Sequence, residues 1–180
     1  MAAEPAPILI LSGPPGAGKT TVARRLAETS DRLAVHLHTD DYYNAIRRGF
    51  ILPWLAESSA QNVTVSNAIA AAACAYATGG YAVMLDGVVG PWFLDLYREA
   101  AAKAGAPLSY VVLRPDHATA VARARDRETD PLADYPTGLL EAFAYLGGLE
   151  KHVIDTTGMP VEAVVERVRA GVAEGRFLLG

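Results

Sequence analysis

The sequence predicts an α/β domain in which a parallel sheet lies between layers of helices. Five apolar runs of strand length alternate along the chain with longer helical patterns, which is the order typical of such folds. The runs are apolar throughout, as expected of strands that are buried on both faces. With 180 residues, of which 51% are hydrophobic and 20% charged, the chain is long enough to form one domain with a sizeable core.

The individual elements follow from these runs and from the residues that flank them. Strands are predicted over 8–11, 34–38, 82–85, 110–113 and 151–154, and helices over 19–28, 58–77, 91–104, 115–128, 138–146 and 159–171. Asp116 and Pro160 stand where helices typically begin. Two segments break the pattern, an irregular excursion over 42–57 and a short polar stretch over 129–136. Both are expected at the C-terminal edge of the sheet, where open α/β folds bind ligands.

Charge and cysteine content narrow the class of protein. The net charge of −4 predicts no broad basic surface for nucleic acid or an acidic membrane. The single cysteine, Cys74, excludes an internal disulfide and favours a reducing compartment. We find no signal-peptide pattern and no apolar stretch of the roughly 20 residues that span a membrane, so a cytoplasmic protein is expected.

The first strand leads into a glycine-rich motif of the form G-x-x-x-x-G-K-T, which is followed by a helical pattern. The glycines allow backbone N–H groups to close around phosphate oxygens, and the start of the helix directs its positive end at the same anion. The lysine can reach the β- and γ-phosphates, and the threonine hydroxyl can bind Mg²⁺. The predicted nucleotide-binding residues are Gly13, Pro14, Pro15, Gly16, Ala17, Gly18, Lys19, Thr20 and Thr21.

The residues that accompany the motif distinguish between classes of nucleotide-binding protein. The guanine-reading N/T-K-x-D motif is absent from the sequence, which argues against a GTPase. Asp86 ends the third apolar run and is placed to hold the Mg²⁺ shell opposite Thr20, although a turn-forming role at the strand end is the alternative. Gly87 stands where many ATP-hydrolysing machines carry a glutamate, so transfer to an acceptor is favoured over hydrolysis.

Two adjacent carboxylates, Asp40 and Asp41, follow the second strand. A kinase needs a carboxylate on the acceptor side to orient the acceptor hydroxyl and to accept its proton. We predict that Asp40 is this base and that Asp41 caps the following helix. The two roles could be reversed, and the alternative is that both residues only cap the helix.

Arginines cluster on the helix after the fourth strand. Arg123 and Arg127 are four residues apart and share a face, whereas Arg125 points elsewhere. Guanidinium groups at this place could stabilise the charge of a transferring phosphoryl group. The alternative is an ordinary solvated helix face.

The histidine, arginine and aromatic residues near these carboxylates in the sequence are weaker indications of function. His36 and His38 share one face of the second strand and are interpreted as packed or edge residues, since no third metal ligand is evident. Arg47 and Arg48 border the excursion and could meet an anionic acceptor or only solvent. The aromatic residues could line an apolar acceptor pocket or belong to the core. They are Tyr42, Tyr43, Phe50, Trp54, Trp92 and Phe93.

Taken in this order, the motifs resemble those of small P-loop kinases. The pieces that carry the resemblance are 13–20, 39–42, 85–87, the pair Arg123 and Arg127, and 155–157. The likeness is to a group of kinases that resemble chloramphenicol phosphotransferase, gluconate kinase and polynucleotide kinase, and it spans about residues 8–173. Polynucleotide kinases have an arginine after a similar Asp-Asp-Tyr run, and this chain has Tyr43 there, which argues against nucleic-acid phosphorylation.

The resemblance implies a three-layer P-loop NTPase fold, with a parallel five-stranded sheet in the order 2-3-1-4-5. It also implies ATP with Mg²⁺, an acceptor-side excursion near 41–80 and a mobile lid near 128–137. The first aspartate of the similar run is the general base in polynucleotide kinases, which supports Asp40. Asp155 and Thr156 resemble the stretch that borders the adenine, although simple turn chemistry is the alternative there.

The function expected from the sequence is the transfer of the γ-phosphoryl group of ATP to a hydroxyl of a small molecule. Two other possibilities stay open. One is a kinase with a nucleotide, a nucleic-acid 5′-hydroxyl or a protein as acceptor. The other is a nucleotide-responsive binding or switch protein that has no acceptor chemistry.

Overall fold

A computed structural model of the protein describes residues 4–125 and 137–180. The strands in these ranges are β1 Ile8–Ser12, β2 Ala34–His38, β3 Ala82–Asp86, β4 Leu108–Leu113 and β5 Val153–Ile154. All neighbouring strands pair in parallel, in the order β2-β3-β1-β4-β5, so the predicted sheet is confirmed. The last strand is shorter than the predicted 151–154, because residues Gly147–His152 form a 3₁₀ helix up to its start.

The helices agree with the predicted periodicity except near their ends. They are α1 Lys19–Glu28, α2 Thr39–Asn44, α3 Ser59–Thr78, α4 Leu94–Ala104, α5 His117–Arg125, α6 Thr137–Ala142 and α7 Val161–Ala173. The last residues of α2 overlap the start of the segment 42–57, which was predicted to be irregular. The helix α6 ends at Ala142, before residue 146, where the predicted helix ends. Asp116 caps α5 as expected, since its Oδ1 accepts a hydrogen bond from the Thr119 amide at 2.7 Å.

Two hydrophobic cores lie on opposite faces of the sheet, because alternate residues of the central strands point in opposite directions. Ile8 and Ile10 of β1 belong to the core that α3 and α4 cover, and Leu9 and Leu11 belong to the core that α1 and α7 cover. The apolar runs are therefore buried on both sides, and the prediction of helices on both faces is confirmed.

The same alternation places the polar residues of β2. Val35 and Leu37 pack against the core beneath α3. His36 and His38 consequently point to the other face, where α1 begins at the glycine-rich loop. β2 pairs with β3 so that His38 lies beside Asp86. This register brings the ends of two strands together with the first turn of α1.

Some predictions lie outside the described residues. These are Arg127, most of the segment near 128–137 and the end of the helix predicted over 115–128. Within the described ranges, no helix is long and apolar enough to cross a membrane.

Candidate active site

The glycine-rich loop connects β1 to α1 and lies against the start of α5. Gly16 has a φ of +78°, and a Cβ at this position would stand 2.0 Å from the Ala120 carbonyl oxygen. Glycine is therefore required both by the left-handed backbone and by the close approach of α5. Gly18, with a φ of +87°, forms the N-cap of α1, so the loop ends directly at the positive end of this helix. The geometry is that of a phosphate cradle.

Lys19 is buried and lies across this loop. Its ammonium group donates to the carbonyl oxygens of Gly13 and Pro14, each at 2.9 Å. The charge of Lys19 also contributes to lowering the pKa of Asp40. The hydrogen bonds of Lys19 therefore hold its side chain along the loop, and its charge also acts on the carboxylate predicted on the acceptor side.

Asp86, at the end of β3, is fully buried and receives hydrogen bonds from three side chains. The Thr20 hydroxyl donates to Oδ2 at 2.7 Å, His36 Nε2 lies 2.5 Å from Oδ1, and His38 Nδ1 lies 3.1 Å from both oxygens. Burial acts to raise the pKa of Asp86, but these hydrogen bonds outweigh it and hold the pKa well below its usual range. Asp86 is therefore ionised at neutral pH.

The pair of Thr20 and Asp86 fits Mg²⁺ by its donor chemistry. Both groups present hard oxygen atoms, and Mg²⁺ in such sites keeps several waters and takes only one or two protein ligands. The residues that the structure describes contain no group of three or more His, Cys, Asp or Glu arranged to hold a metal ion.

His38 connects Asp86 to Asp40. Its Nε2 lies 3.3 Å from Asp40 Oδ2, while its Nδ1 faces Asp86. The hydrogen bonds to Asp40 and Asp86 raise the pKa of His38 to about 10, and the same contact with His38 lowers the pKa of Asp40. The interpretation of His36 and His38 as packed or edge residues missed these contacts. The position of both histidines on one strand face was the only sign of this role in the sequence. The pairing of β2 with β3 then brings them to Asp86, the carboxylate that they contact.

Asp40 and Asp41 both lie in the first turn of α2 and are exposed. The N-cap of this helix is His38, and no side chain caps it. The expectation that Asp41 caps α2 is therefore wrong, because the strand runs into the helix without a capping residue between them. Asp40 is the one of the two that is bonded to the site, through His38.

Gly87 follows Asp86 and has no room for a side chain. A Cβ at this position would stand 1.9 Å from Thr39 Oγ1, and Thr39 itself is buried. The glutamate that many hydrolysing enzymes carry here could not be placed without displacing the start of α2. The packing thus explains in physical terms why the sequence has glycine at this point.

A cleft of about 320 Å³ lies beside the glycine-rich loop, where the connections after β4 and β5 meet. The Asp116 amide donates to the Thr157 hydroxyl at 2.8 Å and so ties these connections together. Thr156 is buried, and its hydroxyl has no hydrogen-bond partner among the described residues. The cleft is lined by Pro14, Arg114, Pro115, Asp116, His117, Leu140, Ala144, Asp155 and Thr157.

Some of the remaining predicted site residues lie at or near this cleft, and one lies outside the described residues. Asp155 lines it, and Thr156 lies next to it in sequence. Arg123, on α5, is half-buried, and its charge contributes to lowering the pKa of Asp116, a residue of the cleft. Arg127 lies outside the described residues.

The aromatic cluster predicted from the sequence divides into two sets. Tyr42, Tyr43 and Phe93 pack against the core beneath α3 and α4. Phe50, Trp54 and Trp92 are exposed, at 45%, 60% and 57%. The core alternative thus holds for the first set. The exposed set lies on the connections that follow β2 and β3, and its place in an acceptor pocket stays a prediction.

Comparison with known proteins identifies the family and the fold. The model of a family described as an AAA domain matches residues 8–144. No curated protein matches the sequence. Among solved structures, a shikimate kinase from Acinetobacter baumannii, in complex with shikimate, is 21% identical with a TM-score of 0.63, and the match covers 96% of each chain.

Two further structures are similar over most of their length. A gluconokinase from Sinorhizobium meliloti 1021 is 20% identical with a TM-score of 0.64, covering 95% of this chain and 93% of that one. An APS kinase from Mycobacterium tuberculosis, in complex with AMPPNP and APS, is 18% identical with a TM-score of 0.64, covering 95% of this chain and 99% of that one. The fold is therefore the one that small P-loop kinases share.

Proposed function

Because the chain belongs to the AAA domain family, and because its site joins a phosphate cradle to an acceptor-side carboxylate, we propose that it is an ATP-dependent kinase. It would transfer the γ-phosphoryl group of ATP to a hydroxyl of a small molecule. The observation that carries the proposal is the connection of Asp40 to Asp86 through His38. A carboxylate beside the phosphate site, without a hydrolytic glutamate after Asp86, suits transfer better than hydrolysis.

Each residue of the site then has a definite task. The loop amides and Lys19 hold the phosphates, Thr20 and Asp86 hold Mg²⁺, and Asp40 orients the acceptor hydroxyl and accepts its proton. ATP supplies the phosphoryl group when bound, and Mg²⁺ neutralises part of its charge. Arg123 and Arg127 are proposed to stabilise the charge that develops on the transferring group, as the sequence suggested.

The nucleobase is proposed to occupy the cleft beside Pro14. The cleft adjoins the cradle at Pro14, and its lining includes the polar residues Asp116 and Thr157. Asp155 lines the same cleft, which agrees with its predicted place near the adenine. The solved APS kinase complex contains AMPPNP, an ATP analogue, in a protein of the same fold.

A small-molecule acceptor is favoured by the surroundings of Asp40. Exposed aromatic side chains on the connections after β2 and β3 are typical of a binding surface for an organic molecule. The similar solved structures include kinases named for shikimate and gluconate, which are small hydroxylated acids. The net charge of −4 does not favour a nucleic-acid acceptor.

The test is ATP turnover by the purified protein with Mg²⁺, measured with and without pools of hydroxylated metabolites, antibiotics, nucleosides and 5′-hydroxyl oligonucleotides. We expect one pool to increase ADP release and to yield a phosphorylated product in its mass spectrum. Asp40→Asn should keep ATP affinity and lose transfer, whereas Lys19→Ala should weaken both. Unchanged turnover in the Asp40 variant would refute the assignment of the base, and nucleotide binding without any acceptor-stimulated turnover would favour a switch protein.

A further inference from the structure

Both ring nitrogens of His38 face carboxylates. Nδ1 lies 3.1 Å from each oxygen of Asp86, and Nε2 lies 3.3 Å from Oδ2 of Asp40. The two nitrogens lie on different sides of the imidazole ring, so one side chain can contact two carboxylates at the same time. His38 thus bridges a buried carboxylate and an exposed one.

We propose that His38 is a positioning residue that holds the carboxylate of Asp40 in a fixed place relative to Asp86. The inference rests on the proposed kinase function, because it assigns His38 a role in placing the base of that reaction. It extends that function to a residue outside the set assigned to the nucleotide, to Mg²⁺ and to the acceptor.

The need for such a residue follows from the different surroundings of the two carboxylates. Asp86 is fully buried and is fixed on its other sides by Thr20 and His36. The Asp40 side chain is 67% exposed and lies in the first turn of a six-residue helix. An exposed aspartate on so short a helix has several accessible rotamers, and a bond to a fixed neighbour removes most of them.

The backbone around His38 makes the bridge possible. His38 is the last residue of β2 and the N-cap of α2, with an extended φ of −106° and ψ of 125°. The strand pairing fixes one side of the ring against Asp86, and the helix that starts at the next residue brings Asp40 back toward the other side. The two connections therefore depend on one side chain.

The arrangement also leaves one oxygen of Asp40 for an acceptor. Oδ2 faces His38, whereas Oδ1 receives the Thr39 hydroxyl at 3.4 Å, which is long for a hydrogen bond between oxygens. A hydroxyl at Oδ1 would thus meet a carboxylate whose second oxygen is already held. Placement of this kind matters because displacement of a reacting group by about 1 Å can reduce a rate roughly a hundredfold.

The test uses two substitutions that each keep one of the two connections. The amide nitrogen of asparagine overlies Nδ1 of histidine, and that of glutamine overlies Nε2. His38→Asn should therefore keep the bond to Asp86 and lose the bond to Asp40, and His38→Gln should do the reverse. His36→Gln is the matched control, because it removes an imidazole from the same strand face, keeps a donor at the Nε2 position toward Asp86, and has no bond to Asp40 to lose.

Steady-state kinetics with the acceptor found for the wild-type protein give the decisive comparison. We expect His38→Asn to lower kcat roughly tenfold to a hundredfold with the KM for ATP changed by no more than about twofold. His38→Gln should retain most of the wild-type kcat. Equal losses in the two variants, or a loss in His36→Gln as large as in His38→Asn, would overturn the proposal, since the effect would then not come from the bond to Asp40.

A second measurement separates this inference from the proposed function. Nuclear magnetic resonance of the His38 ring nitrogens should show the Nε2 signal shifting in Asp40→Asn and the Nδ1 signal retaining its position. This result supports the bridge even if no acceptor is phosphorylated, in which case only the kinase assignment fails. An Nε2 signal that is indifferent to Asp40→Asn refutes the bridge, whatever the activity of the wild-type protein.

Discussion

Asp86 organises the polar side chains at the C-terminal edge of the sheet. Thr20, His36 and His38 come from α1 and β2, and each bonds to this one buried carboxylate. A buried carboxylate is costly unless such partners satisfy it, so the four residues stabilise one another as a unit. The start of α1 is thereby connected to the end of β2, and through His38 to the proposed base Asp40, by side chains rather than by the backbone alone.

The close packing around Gly87, next to Asp86, predicts that a side chain at this position destabilises the fold. Gly87→Ala introduces a Cβ that would stand within 2.6 Å of three atoms of Thr39. Because Thr39 is buried at the start of α2, we expect the free energy of unfolding to fall by about 1–3 kcal/mol. Urea denaturation followed by circular dichroism measures this change.

Gly148→Ala is the control for that substitution. A Cβ at Gly148 meets no atom within 4 Å among the described residues, and the residue is exposed. We expect its free energy of unfolding to stay within about 0.5 kcal/mol of the wild-type value. Equal stability of Gly87→Ala and Gly148→Ala would show that Thr39 moves aside freely.

Sequence reasoning pointed to those residues of the candidate site that lie in local motifs. Lys19 and Thr20 belong to a recognisable loop, and Asp86 ends an apolar run, so spacing alone points to them. The role of His38 could not be found in this way, because it depends on which strand lies beside β2. Strand order entered only through a family resemblance, and combining it with the alternation along β2 would have placed His38 beside Asp86.

At the scale of elements, the end of β4 is joined to the segment that follows α6. Arg114, just after β4, makes a bidentate ion pair with Glu150 at 2.9 Å for both bonds and also donates to the Phe143 carbonyl. Glu150 accepts a further hydrogen bond from the Leu146 amide. This set of bonds holds the chain between α6 and β5 against the edge of the proposed nucleobase cleft, of which Arg114 is a part.

The ion pair predicts a specific dependence of stability on pH. Hydrogen bonds from Arg114 and from the Leu146 amide lower the pKa of Glu150 to about 2. A carboxyl group with a lowered folded-state pKa contributes stability that is complete above its ordinary pKa. That contribution is lost as the pH falls from about 4.5 toward 2. Glu150→Gln should therefore have a lower urea midpoint than the wild-type protein at pH 7, and the difference should narrow between pH 5 and pH 3.

Glu28→Gln serves as the comparison in these measurements. Glu28 pairs with Arg25 at 4.0 Å on an exposed face of α1, and such pairs contribute little. The urea midpoint of Glu28→Gln should equal that of the wild-type protein at every pH. A difference between Glu150→Gln and the wild-type protein that stays constant down to pH 3 would contradict the assigned ion pair.

The strand β5 shows a limit of prediction from the hydrophobic pattern of the sequence. The predicted strand over 151–154 is reduced to Val153–Ile154, because the preceding residues, including the buried His152, form a 3₁₀ helix. The lower part of β4 pairs instead with the C-terminal segment, through the bridge between Ser109 and Leu178. A short apolar run predicts that a strand exists, whereas the competition between two segments for one edge is decided by tertiary packing.

At the scale of the whole molecule, the parallel sheet brings the separate parts of the site to one edge. The connections after β1 and β2 carry the glycine-rich loop and Asp40, β3 ends at Asp86, and the connections after β4 and β5 line the cleft. This gathering was predictable, since the strands of a parallel sheet all end on the same side. Which aromatic residues stay exposed was not predictable, because it depends on how the long connections fold over the core.

The two tryptophans of the chain allow the proposed acceptor surface to be tested directly. Trp54 and Trp92 are the whole tryptophan content, both are more than half exposed, and each lies on a connection that follows a strand of the site. If the acceptor binds against these connections, it removes indole surface from water. The tryptophan emission should then shift to shorter wavelength as the acceptor is added, and the single-tryptophan variants Trp54→Phe and Trp92→Phe would show which side chain responds.

The same contact should be visible in kinetics. Replacement of the responding tryptophan by alanine should raise the KM for the acceptor about tenfold, because a lost aromatic contact of this kind is worth about 1.4 kcal/mol. The KM for ATP should change little, since neither indole lines the cleft beside Pro14. Saturable phosphorylation of an acceptor without any emission change in either single-tryptophan variant would place the acceptor elsewhere. The exposed aromatic residues would then be an ordinary part of the surface.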